Sequence, residues 1–176
     1  MPNTVRAFIA VEIPETIRRE LVKIKNELKP LLQQDRVSWV QPSHLHLTLM
    51  FLGDVTPEGV SKIIDACQFT ASVASFELTL DRIGFFPHLG KPRVLWFGYE
   101  PSNSLMQLQE RIETGAKEAG FPTEQKIFTP HVTCARFKEL HFNETDRKAW
   151  NDRIGTRRFS FTHRAHSATL FQSHLS

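Results

Sequence analysis

The chain has 176 residues, of which 40% are hydrophobic and 23% are charged, and its formal net charge is +3 at pH 7. This composition is that of an ordinary soluble globular protein rather than of a fibrous or disordered one, and its mild basicity permits an anionic ligand without requiring nucleic acid. The length predicts a single domain over residues 1–176.

Strand and helix patterns alternate through the first half of the chain. Apolar residues at helical spacing lie between Pro14 and Pro30 and predict a helix. Its buried face is expected to carry Ile17, Leu21, Ile24 and Leu28. A second helix is expected to carry Val60, Ile63, Ile64 and Cys67. Strands are predicted over residues 5–11, 37–40, 46–52 and 76–80, and a loop containing Pro and Gly over residues 85–92.

The second half repeats this scheme. A strand is predicted over residues 94–99, followed by a helix that begins after Pro101 and ends near Gly120. Its buried face is expected to carry Leu105, Leu108, Ile112 and Ala116. The polar segment from Asn143 to Arg153 predicts another helix. Further strands are predicted over residues 130–137, 159–161 and 168–172. Most of the 14 Phe residues lie in apolar runs, for which core packing is the default interpretation.

Two of these strands carry nearly the same polar pair, in His46-Leu47-Thr48-Leu49 and in His131-Val132-Thr133-Cys134. Because side chains alternate between the faces of a strand, each His shares a face with its Thr. A polar pair on an apolar strand must be hydrogen-bonded or do chemistry, since burying unpaired polar groups is costly. The recurrence suggests a duplicated unit that brings two imidazoles into one cleft.

Two imidazoles near neutral pH can supply a general base and a general acid together. The Thr hydroxyls can donate to an oxyanion between the rings, and a phosphate fits that arrangement. A single His-x-Thr pair is more often structural than catalytic. A metal site would lack ligands, because no carboxylate or thiol stands at ligand spacing and Cys134 is expected on the opposite face. The residues favour nucleotidyl or phosphodiester chemistry without a metal.

Five segments carry a wider resemblance. Residues 44–55 and 130–136 contain the two motifs, and the others are residues 6–11, 92–98 and 170–173. In these segments, which follow the family's order, the chain resembles the two-histidine phosphoesterases. Within that superfamily it resembles the RNA 2',3'-cyclic phosphodiesterases, also named 2'-5' RNA ligases. The family pattern usually continues with a Gly- and Tyr-containing turn and another strand, whereas this sequence ends at Ser176. Either the sequence is a shortened one or the sheet lacks that edge strand.

The resemblance implies an α+β fold of two pseudo-symmetric lobes, each an antiparallel sheet with helices outside and the active cleft between the sheets. It implies hydrolysis of an RNA 2',3'-cyclic phosphate end, or of a cyclic nucleotide, to a 2'-phosphomonoester without metal or other cofactor. His131 would accept a proton and His46 would donate one, although the residues themselves do not distinguish these roles. Thr48 and Thr133 would bind the non-bridging oxygens.

There is one argument for Arg136 as a substrate-binding residue and one against it. It lies five residues after His131, and this odd offset places it on the opposite face unless the strand bulges or ends. The family carries Arg near its phosphate site, so we include Arg136 among the substrate-binding residues. Surface or packing roles are expected for His44, His88, Lys91, Arg93, His141, His163, His166 and His174.

Two alternative functions stay open at this stage. The same site run in reverse would join a 2',3'-cyclic phosphate to a 5'-hydroxyl as a 2'-5' RNA ligase. A non-enzymatic RNA-end binding module would need a phosphate pocket but not two titratable rings. The sequence has no apolar signal segment, no run of roughly 18 apolar residues and no disulfide framework, so we expect a cytoplasmic monomer that binds no membrane.

Overall fold

Two antiparallel sheets and four α-helices build the part of the chain described by this computed structural model, residues 4–32, 37–123, 127–139, 141–155 and 157–173. The strands are β1 (Val5–Glu12), β2 (Val37–Trp39), β3 (His46–Val55), β4 (Phe76–Phe86), β5 (Val94–Tyr99), β6 (His131–Phe137), β7 (Phe161–Ala165) and β8 (Thr169–Ser173). The helices are α1 (Glu15–Leu28), α2 (Pro57–Ala66), α3 (Asn103–Glu118) and α4 (Glu144–Trp150).

The strands divide into a three-stranded sheet, in the order β3-β1-β8, and a five-stranded sheet, in the order β2-β6-β5-β4-β7. All neighbouring strands are antiparallel. The sheet order places β8 at one edge of the smaller sheet. One His-x-Thr strand belongs to each sheet: β3 to the smaller and β6 to the larger.

Each of the two longest helices packs against the sheet that does not contain the strand preceding it. Helix α1 follows a strand of the smaller sheet and packs against β7 of the larger one, whereas α3 follows a strand of the larger sheet and packs against β3. Lys25 of α1 donates from Nζ to the carbonyl of Val40 at 3.0 Å. Gly115 lets α3 approach α2, because a Cβ at this position would lie 2.9 Å from the carbonyl oxygen of Ala66. This crossed packing of α1 and α3 joins the two sheets into the expected α+β fold of two related lobes.

The core is built from the apolar stripes that the sequence predicts. All four apolar residues predicted for α1 and all four predicted for α3 are buried. Burial of one such Leu or Ile contributes about 1.5–3 kcal/mol. In α2, which contains the predicted Val60, Ile63 and Ile64, only Ile63 is fully buried, and Ile64 is 51% exposed. This helix is short and turns a single row of side chains toward the core.

Several element boundaries differ from the sequence prediction, and those of β4, β7 and α4 are among them. Strand β4 extends through Phe86 instead of ending at Leu80, because Phe85 packs at 4.7 Å against the ring of Trp150 and Phe86 pairs with Val94. Strand β7 begins at Phe161, where the predicted strand ends, and its pairing with β4 includes a 3.0 Å contact between the hydroxyls of Thr79 and Thr162. Helix α4 stops at Trp150, and the chain continues as a π-helical turn over Asn151–Gly155.

His163 has a packing role, as expected for a histidine without a motif. It is buried, and its Nε2 lies 2.8 Å from the hydroxyl of Tyr99. Burial lowers the pKa of His163, so the ring is neutral near pH 7 and contributes no buried charge. In the described part of the chain no helix is both long and apolar enough to cross a membrane.

Candidate active site

Strand β3 contains a β-bulge directly after its His-x-Thr motif. Thr48 pairs with Ala10 of β1, and Met50 pairs with the preceding residue, Ile9. Leu49 is therefore an extra residue with no partner across the strand pair, and both Leu49 and Met50 are buried. An extra residue of this kind resets the alternation of side chains along the strand.

Strand β6 contains a bulge at the equivalent position. Thr133 pairs with Trp96 of β5, and Ala135 pairs with the preceding residue, Leu95. Cys134 is the extra residue, and it is fully buried together with Ala135. The third residue after each motif histidine is thus the bulged one in both sheets.

The bulges decide which side chains reach the cleft. Five residues after His131, Arg136 lies on the same face as the histidine, although simple alternation places it on the other. Phe51 lies five residues after His46 and takes the equivalent position on the opposite sheet. Alternation therefore gave the wrong face for Arg136, and the placement expected from the family resemblance is the one observed.

A cleft of about 300 Å³ between the sheets is lined by every residue that the sequence proposes for the site. Those residues are His46, Thr48, His131, Thr133 and Arg136. This volume is at the lower end of the range for small-ligand sites. Strands β3 and β6 contact one another across the cleft, so the two motifs face each other.

Further residues line this cleft that the sequence analysis did not place in it. They are Arg6, Ala7, Phe8, Val40, Phe51, Val94 and Ser173, together with His44, for which a surface or packing role was expected. Arg6 and Phe8 alternate on β1, so their shared face was readable from the sequence. Ser173 reaches the cleft because β8 pairs with β1, a contact that no local pattern specifies.

Each motif imidazole is anchored by the backbone two residues earlier. His131 Nδ1 lies 2.7 Å from the carbonyl oxygen of Thr129. Because a carbonyl only accepts, Nδ1 carries the hydrogen, and in the neutral ring Nε2 is left as the free base. The ring of His46 makes the corresponding hydrogen bond to the backbone of His44. Both rings are therefore held in defined orientations.

The pKa of each imidazole is lowered from its ordinary value of 6.5. For both rings the main cause is burial, which disfavours the charged form. The backbone hydrogen bonds to His44 and Thr129 raise the pKa values and oppose this effect, whereas the positive charge of Arg136 lowers both. Both rings are consequently neutral near pH 7 in the free protein.

Aromatic rings enclose both histidines. His46 stacks on Phe8, with ring centroids 4.7 Å apart and planes inclined by 26°, and lies 6.1 Å from Phe171. His131 meets Phe86 edge-on at 4.9 Å and 83°. The default interpretation of Phe as core does not hold for these three rings, which instead supply apolar surroundings to the two imidazoles.

Trp96 lies on the cleft face of the larger sheet, opposite Thr133. Gly84 leaves room for its indole, because a Cβ there would lie 2.2 Å from the ring. The indole is 6.3 Å from the ring of His131 and 5.1 Å from that of Phe86. Through these contacts Trp96 and Phe86 pack around His131 on the side of the cleft formed by the larger sheet.

Three other residues considered in the sequence analysis, His88, Lys91 and Arg93, do not line the cleft. His88 accepts a hydrogen bond from the backbone N–H of Gly90 within its own loop. Arg93 lines a second cavity beside the cleft, and Lys91 is exposed. Among the described residues, no group of three or more His, Cys, Asp and Glu side chains is placed to hold a metal ion.

Two antiparallel sheets bring one His-x-Thr strand each to a common cleft, as the resemblance to the two-histidine phosphoesterases implies. The sequence profile of the LigT-like phosphoesterases matches residues 11–96 and 99–176. The chain is 34% identical over 134 residues to an RNA 2',3'-cyclic phosphodiesterase of Thermotoga maritima, covering 76% of this chain and 70% of that one. It is 33% identical over 153 residues to the Aquifex aeolicus protein of the same name, covering 85% and 77%.

The fold agrees with this relationship. A solved structure of Thermus thermophilus TT0787 superposes with a TM-score of 0.80 at 28% identity, covering 97% of this chain and 90% of that one. The protein belongs to the LigT-like phosphoesterase family.

Proposed function

We propose that this protein is an RNA 2',3'-cyclic phosphodiesterase that works by acid–base catalysis without a metal ion. The observation that carries the proposal is the meeting of His46, Thr48, His131, Thr133 and Arg136 in one cleft. Relatives named RNA 2',3'-cyclic phosphodiesterase support the substrate class. Since the cleft takes side chains from both sheets, we propose that residues 1–176 act as one unit.

In the proposed reaction the two imidazoles act on opposite sides of phosphorus. Nε2 of His131 takes a proton from the attacking water as its oxygen bonds to phosphorus. The bond from phosphorus to the 3'-oxygen breaks, and His46 protonates that oxygen, leaving a 2'-phosphomonoester. His46 must enter this step protonated, and the negative charge of the bound phosphodiester favours its protonation. Proton exchange with solvent then restores both rings.

The remaining cleft residues are proposed to stabilise the charge on phosphorus. Thr48 and Thr133 lie on the same faces as the histidines and donate hydroxyl hydrogens to the non-bridging oxygens. Arg136 supplies a guanidinium with several donors in a planar fork suited to phosphate. Hydrogen bonds to a charged group contribute about 1.5–3 kcal/mol each.

The function is tested by incubating the purified protein with cytidine 2',3'-cyclic phosphate in excess EDTA and identifying the product by phosphorus NMR. We expect conversion to the 2'-phosphate at a rate that chelation does not change, because proton transfer and hydrogen bonding supply the chemistry. Loss of turnover in EDTA that a divalent ion restores would contradict the metal-free mechanism. Absence of turnover under both conditions would contradict the proposed activity.

Two alternatives use the same cleft. Adding an RNA with a 5'-hydroxyl to this reaction tests 2'-5' ligation, because microscopic reversibility gives the reverse reaction the same acid and base. Tight binding of a cyclic phosphate end without turnover would indicate an RNA-end binding module. We further propose a monomer in the cytoplasm, in keeping with the free thiols of Cys67 and Cys134.

The lowered imidazole pKa values predict an acidic pH optimum for kcat/KM. Activity of the free enzyme falls at low pH as the base becomes protonated, and at high pH as the acid loses its proton. Because both pKa values lie below the ordinary value, we expect a bell-shaped profile with its maximum below about pH 6.5. The kcat profile should lie at higher pH, since bound phosphate raises both pKa values.

Initial rates measured at subsaturating and saturating cyclic nucleotide between about pH 4.5 and 9 separate the two profiles. The apparent pKa values belong to the coupled pair rather than to either ring. A kcat/KM profile that is flat across this range while chemistry limits the rate would rule out acid–base work by these histidines.

A further inference from the structure

Helix α1 carries a lysine among its buried apolar residues. The side chain of Lys25 is only 6% exposed and lies on the same stripe as Leu21 and Leu28. Lysine is rarely buried to this extent, because its ammonium group loses its hydration. A methionine of similar length would fill this space without that cost. The polar end of Lys25 therefore needs a function that packing alone does not supply.

The ammonium of Lys25 lies where the chain leaves β2 on its way to β3. Its Nζ donates to the carbonyl oxygen of Val40 at 3.0 Å. The backbone N–H of Val40 donates in turn to the carbonyl oxygen of Cys134, also at 3.0 Å. The side chain of Val40 lines the cleft. Two hydrogen bonds in series thus join the buried ammonium of α1 to strand β6.

The last residue of this series is the bulged residue of β6. Cys134 has no partner on β5, and as the extra residue it turns Arg136 into the cleft. On the other side of β6, Ser38 of β2 pairs with Arg136, and the bond from Val40 to Cys134 continues that pairing past the bulge. The backbone at the bulge is therefore fixed by Val40, whose carbonyl oxygen is fixed by Lys25.

The charged and titratable groups that act on Lys25 are Cys134 and Lys29. Burial lowers the pKa of Lys25, whereas Cys134 raises it and the positive charge of Lys29 lowers it. Burial raises the pKa of Cys134 to about 12, so this thiol is neutral near pH 7. Because a neutral thiol forms no ion pair, the hydrogen bond to Val40 is the contact through which Lys25 acts.

We propose that Lys25 is a positioning residue of the active site, which fixes the β6 bulge through Val40 and so keeps Arg136 turned toward the two histidines. For its effect on catalysis this role rests on the proposed function. Without the ammonium, the buried carbonyl oxygen of Val40 loses its donor, and the edge of the larger sheet separates from the bulge. Strand β2 has only three residues and lies at that edge, so its pairing with β6 depends on each hydrogen bond.

The kinetic test measures whether Lys25 acts through Arg136. Lys25→Met should lower kcat/KM for cytidine 2',3'-cyclic phosphate about 10- to 100-fold, since a displacement of about 1 Å in a site can cost about 10²-fold. It should also move the pH maximum upward, because an arginine turned away no longer lowers the pKa of either imidazole. Added to Arg136→Met, it should change neither quantity further.

Lys23→Met removes an exposed lysine of the same helix and is the matched control, which should leave both quantities unchanged. A slower Lys25→Met enzyme with an unmoved pH maximum would overturn the proposal, as would a full further loss when Arg136→Met is added. Circular dichroism checks the fold, and Lys25→Leu replaces Lys25→Met if the latter does not fold. Failure of both to fold would also overturn the proposal, because it would assign Lys25 to the fold as a whole.

NMR titration of the His46 and His131 imidazoles needs no turnover and separates this proposal from the proposed function. Arg136 acts on both rings and His44 on His46, so loss of the Lys25 charge has no direct effect on them. We expect Lys25→Met to raise the pKa of both rings in the free protein, and to raise neither once Arg136 is replaced. If the parent protein does not hydrolyse the cyclic nucleotide, the proposed function fails. Unchanged imidazole pKa values in Lys25→Met would overturn the positioning role in either case.

Discussion

His46→Ala and His131→Ala should each abolish hydrolysis of cytidine 2',3'-cyclic phosphate while leaving the protein folded. Each ring is proposed to transfer one proton in the same step, and a positioned acid or base contributes about 10²- to 10⁴-fold to the rate. Because the two rings act as a unit, the double variant should be little slower than either single one. Single-turnover rates of the three variants measure this directly.

Circular dichroism and thermal unfolding serve to show that these variants keep their fold. His141→Ala, at an exposed position away from the cleft, is the control and should retain full activity. If either single variant keeps more than about a tenth of the parent rate, the paired acid–base assignment is wrong. Additive losses in the double variant would mean that the two rings act in separate steps.

The parts of the fold that the sequence predicted are those encoded by local patterns. Helices α1 and α3 carry apolar residues at strict helical spacing, and all of the predicted buried residues are buried. The full length of β4 was not predictable in this way, because Phe86 lies beside Pro87 and is held in the strand by pairing with Val94. Pairing across a sheet joins residues distant in sequence, which single-sequence patterns do not contain.

The same distinction holds for the candidate site. His46 and His131 could be found because each shares a strand face with a Thr, a local pattern that occurs twice. The face of Arg136 could not be derived, because it depends on the extra residue Cys134, and the bulge exists only through pairing with β5. Phe51 was missed for the same reason. The two bulges turn a simple repeat into a site with unlike halves.

Arg136→Met should lower kcat/KM about 100-fold and also move its pH maximum toward higher pH. The rate falls because the guanidinium is proposed to bind the phosphate oxygens, and removal of one donor to a charged transition state costs about 10²- to 10³-fold. The pH maximum moves because the positive charge of Arg136 lowers the pKa of both His46 and His131. Without that charge both rings keep their protons to higher pH, so both limbs shift in the same direction.

Arg19→Met is the matched control, since Arg19 lies on the outer face of α1 with its side chain 71% exposed. It should change neither the rate nor the pH maximum. A slower Arg136→Met enzyme with an unmoved pH maximum would show that Arg136 acts on the substrate without acting on the imidazoles. An unchanged rate would remove Arg136 from the site, leaving charge stabilisation to Thr48 and Thr133 and to Arg6, the other cation that lines the cleft. The shift of both limbs is therefore the decisive measurement, because removal of a charge near both rings moves both pKa values in the same direction.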